Sequence, residues 1–147
     1  MNLNREQIQK YLPHRDPFLF VDEIIDFESA HSIKALVSFK EDSFFFKGHF
    51  PGRPVVPGVI IVESMAQVGG VLIYRSFEEE FLGKSPALVG IDNVKFKQKV
   101  IPGDTVVYEL KLMSPIRRGL VNMKGIAYVN GKVVTEAEML AQIVKDR

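Results

Sequence analysis

Residues 48–74 read GHFPGRPVVPGVIIVESMAQVGGVLIY, and this stretch decides how the rest of the chain is arranged. Its first part, residues 48–58, is rich in proline and glycine, which favour loop and turn backbone. Its second part, residues 59–74, is apolar, contains no proline and is too long for an ordinary strand. We therefore predict a helix over residues 59–74 that is apolar on every side and buried all round.

Two polar residues, Glu63 and Gln67, interrupt this predicted helix, and His49 lies in the loop just before it. Residues four apart in a helix share one face, so Glu63 and Gln67 lie together. A buried carboxylate is costly unless it is paired or used, and a loop histidine beside it supplies the second group that acid–base chemistry needs. We interpret the other two histidines, His14 and His31, as structural or exposed.

The bulk properties restrict the class of protein. A chain of 147 residues is long enough for one domain with a substantial core, so we predict a single domain over residues 1–147. The net charge of +1 argues against a dedicated nucleic-acid binder, and the absence of cysteine excludes disulfides and thiolate chemistry. Glu63 and Gln67 would lie in lipid if the apolar helix crossed a membrane. We therefore expect a cytoplasmic protein without a membrane span.

The rest of the chain predicts short elements, most of them strands. Asn4 and Gln7 have the spacing of a capping box, which predicts a short helix starting at Arg5. Asn130-Gly131 predicts a tight hairpin with a type I′ turn. Apolar and alternating runs predict strands over residues 18–27, 31–39, 87–97, 105–113, 120–129 and 132–144. The resulting fold is α+β, a curved antiparallel sheet of about six strands wrapped round the long central helix.

Three stretches of this chain together resemble one known family. They are residues 12–22 (LPHRDPFLFVD), residues 48–58 followed by residues 63–67 (ESMAQ), and residues 102–104 (PGD). These stretches are similar to the signatures of the FabZ-type β-hydroxyacyl-acyl carrier protein dehydratases. The similarity spans nearly the whole chain, and its combination of motifs is far more specific than any one of them.

The resemblance implies a hot-dog fold and dehydration of (3R)-3-hydroxyacyl-acyl carrier protein to trans-2-enoyl-acyl carrier protein in type II fatty acid synthesis. It implies His49 and Glu63 as the catalytic pair, contributed by different subunits of a homodimer with shared active sites, often three dimers in a homohexamer. It implies no cofactor and no metal. The sister FabA type, which also isomerises its product, has Asp where this chain has Glu63, so we expect dehydration alone.

The chemistry assigns roles to these residues. Neutral His49 serves as the base for the α-carbon, and Glu63 donates a proton to the leaving hydroxyl or holds the leaving water. Gly58, where the helix begins, lets the thioester carbonyl approach free N–H groups that stabilise negative charge. Gln67 orients the acid or a water. The predicted substrate-binding residues are Phe50, Pro57, Gly58, Val59 and Gln67.

Two further points remain open at this stage. Lys95, Lys97 and Lys99 recur at period two on one side of a predicted strand, and Arg117 and Arg118 lie on a nearby break. These five residues form a solvated face or a docking patch for the acidic acyl carrier protein. Two other functions also fit the pattern: a hot-dog thioesterase acting on acyl-CoA, and a non-catalytic protein that binds acyl carrier protein.

Overall fold

The computed structural model describes residues 2–144. Met1 and residues 145–147 of the predicted domain lie outside the described residues. A short 3₁₀ helix, Phe44–Phe46, leads into the loop before the long helix. The other elements, in chain order, are β1 (Leu3–Asn4), α1 (Arg5–Ile8), β2 (Glu23–Glu28), β3 (Ser32–Ser38), α2 (Gly58–Ser76), α3 (Glu78–Phe81), β4 (Ser85–Phe96), β5 (Thr105–Leu112), β6 (Leu120–Val129) and β7 (Lys132–Val144).

The seven strands form one sheet in the order β1-β2-β3-β5-β6-β7-β4, and every neighbouring pair is antiparallel. The predicted antiparallel sheet around a central helix is therefore confirmed. The strand beyond the predicted six is β1, a two-residue strand in which Leu3 pairs with Ile24. Strand β4 forms one edge of the sheet, which leaves one side of its backbone without a strand partner in the described chain.

Helix α2 packs against the sheet and fills the centre of the fold. It begins one residue before the predicted start and ends two residues after the predicted end. Met65, Val68 and Leu72 have no exposed surface, and burying apolar side chains of this size contributes roughly 1.5–3 kcal/mol each. The prediction that the helix is buried all round is wrong in its first turn, because Val59 is 75% exposed.

The length and composition of α2 would also suit a membrane span. However, 67% of its most apolar window is buried inside the fold. A helix that the sheet already covers does not need lipid around it, so α2 is explained as the core helix of this domain.

The strand predicted over residues 18–27 begins only at Glu23. The cause is that the backbone of Phe20 bonds to side chains of α2 rather than to another strand. Its N–H donates to Gln67 Oε1 over 2.7 Å, and its carbonyl accepts from Ser64 Oγ over 2.7 Å. The segment before β2 is thereby fixed to the face of α2 that carries Glu63.

Two predictions from short-range sequence signals are confirmed. The Asn4 side chain accepts from the backbone N–H of Gln7 over 2.8 Å, and Gln7 Oε1 accepts from the N–H of Asn4 over 2.9 Å, which is a capping box. Asn130 and Gly131 join β6 to β7 with φ angles of 50° and 77°. Positive φ at both central positions is what a type I′ turn requires.

Candidate active site

The face of α2 that carries Glu63 and Gln67 lies against an apolar cavity. Gln67 Nε2 donates to Glu63 Oε2 over 2.7 Å, as the four-residue spacing predicts. Gln67 is only 2% exposed, and its amide is held at both ends. Its Nε2 also donates to the carbonyl of Phe18 over 2.9 Å, while its Oε1 accepts from the N–H of Phe20. Gln67 is therefore a rigid support for the Glu63 carboxyl group.

Glu63 is half-buried, with 29% of its side chain exposed, so the single chain buries the carboxylate less than predicted. The reason is its position one turn after the exposed start of α2. Small residues on the same helix, Ala66, Gly69 and Gly70, leave room for the cavity that runs along α2 beyond Glu63. A polar group at one end of an apolar cavity suits a ligand with a polar head and an acyl tail. Other residues that line the cavity include Leu12, Ile73, Met123, Met139 and Ile143.

His14 is the site residue that the sequence analysis misses. Its side chain is 22% exposed and lines the same cavity, and its Nε2 lies 3.6 Å from Glu63 Oε2. Burial lowers the pKa of His14 below its ordinary value; the Glu63 carboxylate opposes this shift and Arg15 adds to it. His14 is therefore neutral near pH 7. The only signal in the sequence is its place in the LPHRDPFLFVD stretch, which says nothing about the group it faces.

His49 lies in the loop before α2, and its Nδ1 is 2.8 Å from the carbonyl oxygen of Val55. A carbonyl oxygen only accepts hydrogen bonds, so Nδ1 carries the hydrogen and donates it. The lone pair of the neutral ring then lies on Nε2. The ring also stacks on Phe50, with 4.1 Å between the ring centroids. These contacts hold His49 in the tautomer that a general base at Nε2 needs.

The start of α2 lines the same cleft as His49. No side chain of the described residues caps this helix terminus, so N–H groups of its first turn remain available to an outside acceptor. Gly58 lies close to the aromatic ring of Phe96. A Cβ atom at Gly58 would lie 2.8 Å from Phe96 Cε1, so the close packing here requires glycine or a shift of the ring. Pro57, Val59, Lys97 and Lys99 also line this cleft.

The structure does not bring His49 and Glu63 into one cavity of the same chain. His49 lines the cleft at the start of α2, whereas Glu63 lines the apolar cavity further along the helix. A shallow groove between α2 and β4 connects the two regions, because Val59 and Glu63 both line it. The other residues of this groove are apolar: Val62, Leu88, Ile91, Val94 and Phe96.

The three predicted docking lysines lie at the end of the edge strand β4 and just beyond it. Lys95, Lys97 and Lys99 are all exposed, and Lys97 and Lys99 line the cleft of His49. Lys97 Nζ pairs with Glu136 over 2.9 Å. The structure therefore places a group of positive charges beside the candidate base.

Arg117 and Arg118 lie in the turn before β6, away from these lysines. The carbonyl of Arg118 accepts from Gln142 on β7, whereas Lys95 pairs in register with Glu136 on the same strand. Six residues of β-strand span about 20 Å. Within one chain, the arginines and the lysines thus lie towards opposite ends of β7.

Comparisons with known proteins agree with this architecture. The family model described as a FabA-like domain matches residues 12–138. The chain is 44% identical over 138 residues to the 3-hydroxyacyl-[acyl-carrier-protein] dehydratase FabZ of Klebsiella pneumoniae, which covers 94% of this chain and 91% of that protein. It is 48% identical over 147 residues to the bifunctional enzyme LpxC/FabZ of Bacteroides thetaiotaomicron, of which it spans 31% of the length. The chain therefore belongs to the FabA-like family and, within it, to the FabZ-type dehydratases, which are enzymes.

Solved structures share the fold at much lower sequence identity. The dehydratase heterocomplex ApeI:P from Xenorhabdus doucetiae matches with a TM-score of 0.79 at 18% identity, covering 95% of this chain and 91% of that one. A hypothetical thioesterase with coenzyme A from Streptococcus pneumoniae matches with a TM-score of 0.62 at 11% identity, covering 84% and 86%. Both likenesses concern the fold alone, and the predicted hot-dog fold is confirmed.

Proposed function

We propose that the chain converts (3R)-3-hydroxyacyl-acyl carrier protein to trans-2-enoyl-acyl carrier protein, as a step of type II fatty acid synthesis in the cytoplasm. The observation that carries the proposal is the Glu63 carboxyl group, held by buried Gln67 beside an apolar cavity. The cavity suits the acyl tail, and the carboxyl group lies where the substrate's polar head would stop. The FabZ relative bears the name of this activity.

In the proposed reaction, His49 Nε2 takes a proton from the α-carbon of the substrate. The bond between the β-carbon and its hydroxyl breaks as Glu63 gives that oxygen a proton, so water leaves and the double bond forms. The thioester oxygen gains negative charge during this step, and N–H groups at the start of α2, beside Gly58, stabilise it. Phe50 holds the base by stacking, while Pro57 and Val59 line the path of the substrate.

The proposal includes a second copy of the chain, because His49 and Glu63 line separate cavities of one chain and do not meet in either of them. The surface between them is apolar and open: Val59, Leu88, Ile91 and Phe96 are 75%, 44%, 43% and 55% exposed. An apolar edge strand of this kind favours pairing with another chain.

A two-fold axis presents the same patch on both copies. We propose that each dimer holds two shared sites, with His49 of one protomer facing Glu63 of the other. Three such dimers would form the hexamer that the family resemblance implies. The interface would also cover the exposed first turn of α2, where the prediction of complete burial is wrong for the single chain.

The substrate arrives on an acyl carrier protein, which is strongly acidic. Lys95, Lys97 and Lys99 lie at or beside the cleft of His49, so the carrier would dock there by charge attraction. Arg117 and Arg118 would contribute only if the assembly brings them near the lysines of another protomer.

The purified protein tests the function directly when it is incubated with 3-hydroxybutyryl and crotonyl thioesters of pantetheine and of acyl carrier protein. We expect enoyl absorbance to rise with the first and to fall, by hydration, with the second, while no free thiol appears. Release of free thiol, with no rise in enoyl absorbance from the 3-hydroxybutyryl thioesters, would instead support the thioesterase. Binding of acyl carrier protein with neither reaction would support the non-catalytic alternative.

A further inference from the structure

We propose that His14 is a positioning residue for the acid: with Gln67, it holds the Glu63 carboxyl group in the orientation that presents Oε1 to the substrate. The inference rests on the proposed dehydration and adds a residue to it. Both protein contacts of this carboxyl group converge on one oxygen. Gln67 Nε2 is 2.7 Å and His14 Nε2 is 3.6 Å from Glu63 Oε2.

Convergence on Oε2 determines which oxygen can do the chemistry. An oxygen that already accepts from an N–H donor is a poor place for a proton, so a proton carried by this carboxyl group would lie on Oε1. Among residues 2–144, no side chain is paired with Oε1. Oε1 is therefore the atom that can give its proton to the leaving hydroxyl.

His14 supports this arrangement in one tautomer. Its pKa is lowered by burial, so the ring is neutral, and the nearby carboxyl oxygen favours a hydrogen on Nε2 rather than a lone pair. Its Nδ1 is buried without a hydrogen-bond partner in the described chain, so no competing contact turns the ring away. A separation of 3.6 Å exceeds a direct hydrogen bond, but contacts of catalytic groups commonly tighten when substrate is bound.

The loop that carries His14 is firmly held, so its position beside Glu63 is a fixed feature of the fold. The guanidinium group of Arg15 donates to the carbonyls of Leu12, His14 and Gln9 over 2.8, 2.7 and 3.1 Å. A few residues later, the same loop is bonded at Phe18 and Phe20 to Gln67. One buried amide thus holds both the acid and the loop that brings His14 to it.

The first test compares two variants of similar volume. His14→Leu removes the N–H, whereas His14→Gln keeps an N–H donor near the same place. We expect His14→Leu to lower kcat by about tenfold to a hundredfold with less than about a threefold change in KM, because a misplaced acid affects the transition state. We expect His14→Gln to recover most of that loss. Thermal unfolding of each variant shows whether it folds, and His14→Ala, which also lacks a donor, replaces His14→Leu if the latter does not.

The second test asks whether His14 acts through Glu63. Glu63→Asp withdraws the carboxyl group by one methylene, out of reach of His14 but still able to donate a proton. In that background we expect His14→Leu to change kcat by less than about threefold, since its partner is already displaced. The same loss in both backgrounds, or an unchanged kcat in His14→Leu, would overturn the role of His14. Wild-type protein that dehydrates no substrate would instead overturn the proposed function.

Discussion

The two halves of the candidate site are built in different ways. The Glu63 half has its contacts within one chain: Gln67 and His14 lie beside the carboxyl group, and the firmly held loop of His14 lines the cavity. The His49 half is open, since its loop offers only the carbonyl of Val55 and the ring of Phe50. The difference supports the proposal that one chain positions the acid, whereas a second copy of the chain places the proposed base opposite it.

The largest effect should come from the acid itself. We expect Glu63→Gln to lower kcat by about a hundredfold to ten thousandfold with little change in KM, because the lost proton transfer belongs to the transition state. Steady-state kinetics on a 3-hydroxyacyl thioester measures both constants. Glu79→Gln on α3 is the matched control, since Glu79 is exposed and does not line the cavity. A comparable loss in both variants would contradict the assignment of Glu63.

Mixing two inactive variants separates a shared site from a site within one chain. We expect His49→Ala and Glu63→Ala homodimers to be nearly inactive. After the two are unfolded, mixed in equal amounts and refolded, random pairing makes about half of the dimers mixed. Each mixed dimer has one site with both defects and one with neither, so roughly a quarter of wild-type activity should return.

Mass spectrometry of the refolded sample supplies the control for this experiment, because it shows how many mixed dimers have formed. Activity that stays near zero in the presence of mixed dimers would mean that each chain supplies both of its own catalytic groups. That outcome would remove the need for a second copy but would leave the roles of His49 and Glu63 standing.

Features that depend on neighbouring residues were predictable from the sequence. The periodicity of α2, the four-residue spacing of Glu63 and Gln67, the capping box and the Asn130-Gly131 turn are all set by short-range geometry. The catalytic pair, in contrast, came from a resemblance that spans the chain, and it stays a prediction for His49 and Glu63.

Features that depend on contacts between distant segments were not predictable. His14 lies beside Glu63 because Gln67 and Ser64 on α2 bind the backbone of Phe20, in the loop that carries His14. No rule of sequence spacing relates these residues. The same contacts delay the start of β2 to Glu23. Val59 is exposed because it lies at an uncovered edge of the single chain. The apolar pattern of the helix alone predicts that this residue is buried.

Charge reversal tests whether the open half of the site also receives the carrier. We expect Lys95→Glu with Lys99→Glu to lower kcat/KM for carrier-bound substrates by about tenfold and to spare short pantetheine substrates, because only the carrier is attracted by charge. Lys97 is left unchanged since it pairs with Glu136. Arg117→Glu is the comparison variant at the other end of β7. Equal losses with both substrate types would rule out docking at the lysines.

The smallest effect concerns the closed half and is a dependence of stability on pH. Because the pKa of His14 is lowered in the folded chain, the unfolded chain binds a proton first as pH falls through about 6.5. The contribution of neutral His14 to the free energy of unfolding is therefore fully present above that pH. It is lost as pH falls towards the pKa that His14 has in the folded chain. Arg15 favours this shift of the pKa and Glu63 opposes it.

Urea unfolding at about pH 7.5 and about pH 5.5 measures the effect. The free energy of unfolding should fall less between these pH values in His14→Gln than in wild type. His31→Gln, at a side chain 65% exposed, shows what removal of another histidine does; if its effect equals that of His14→Gln, the burial of His14 has no consequence for stability.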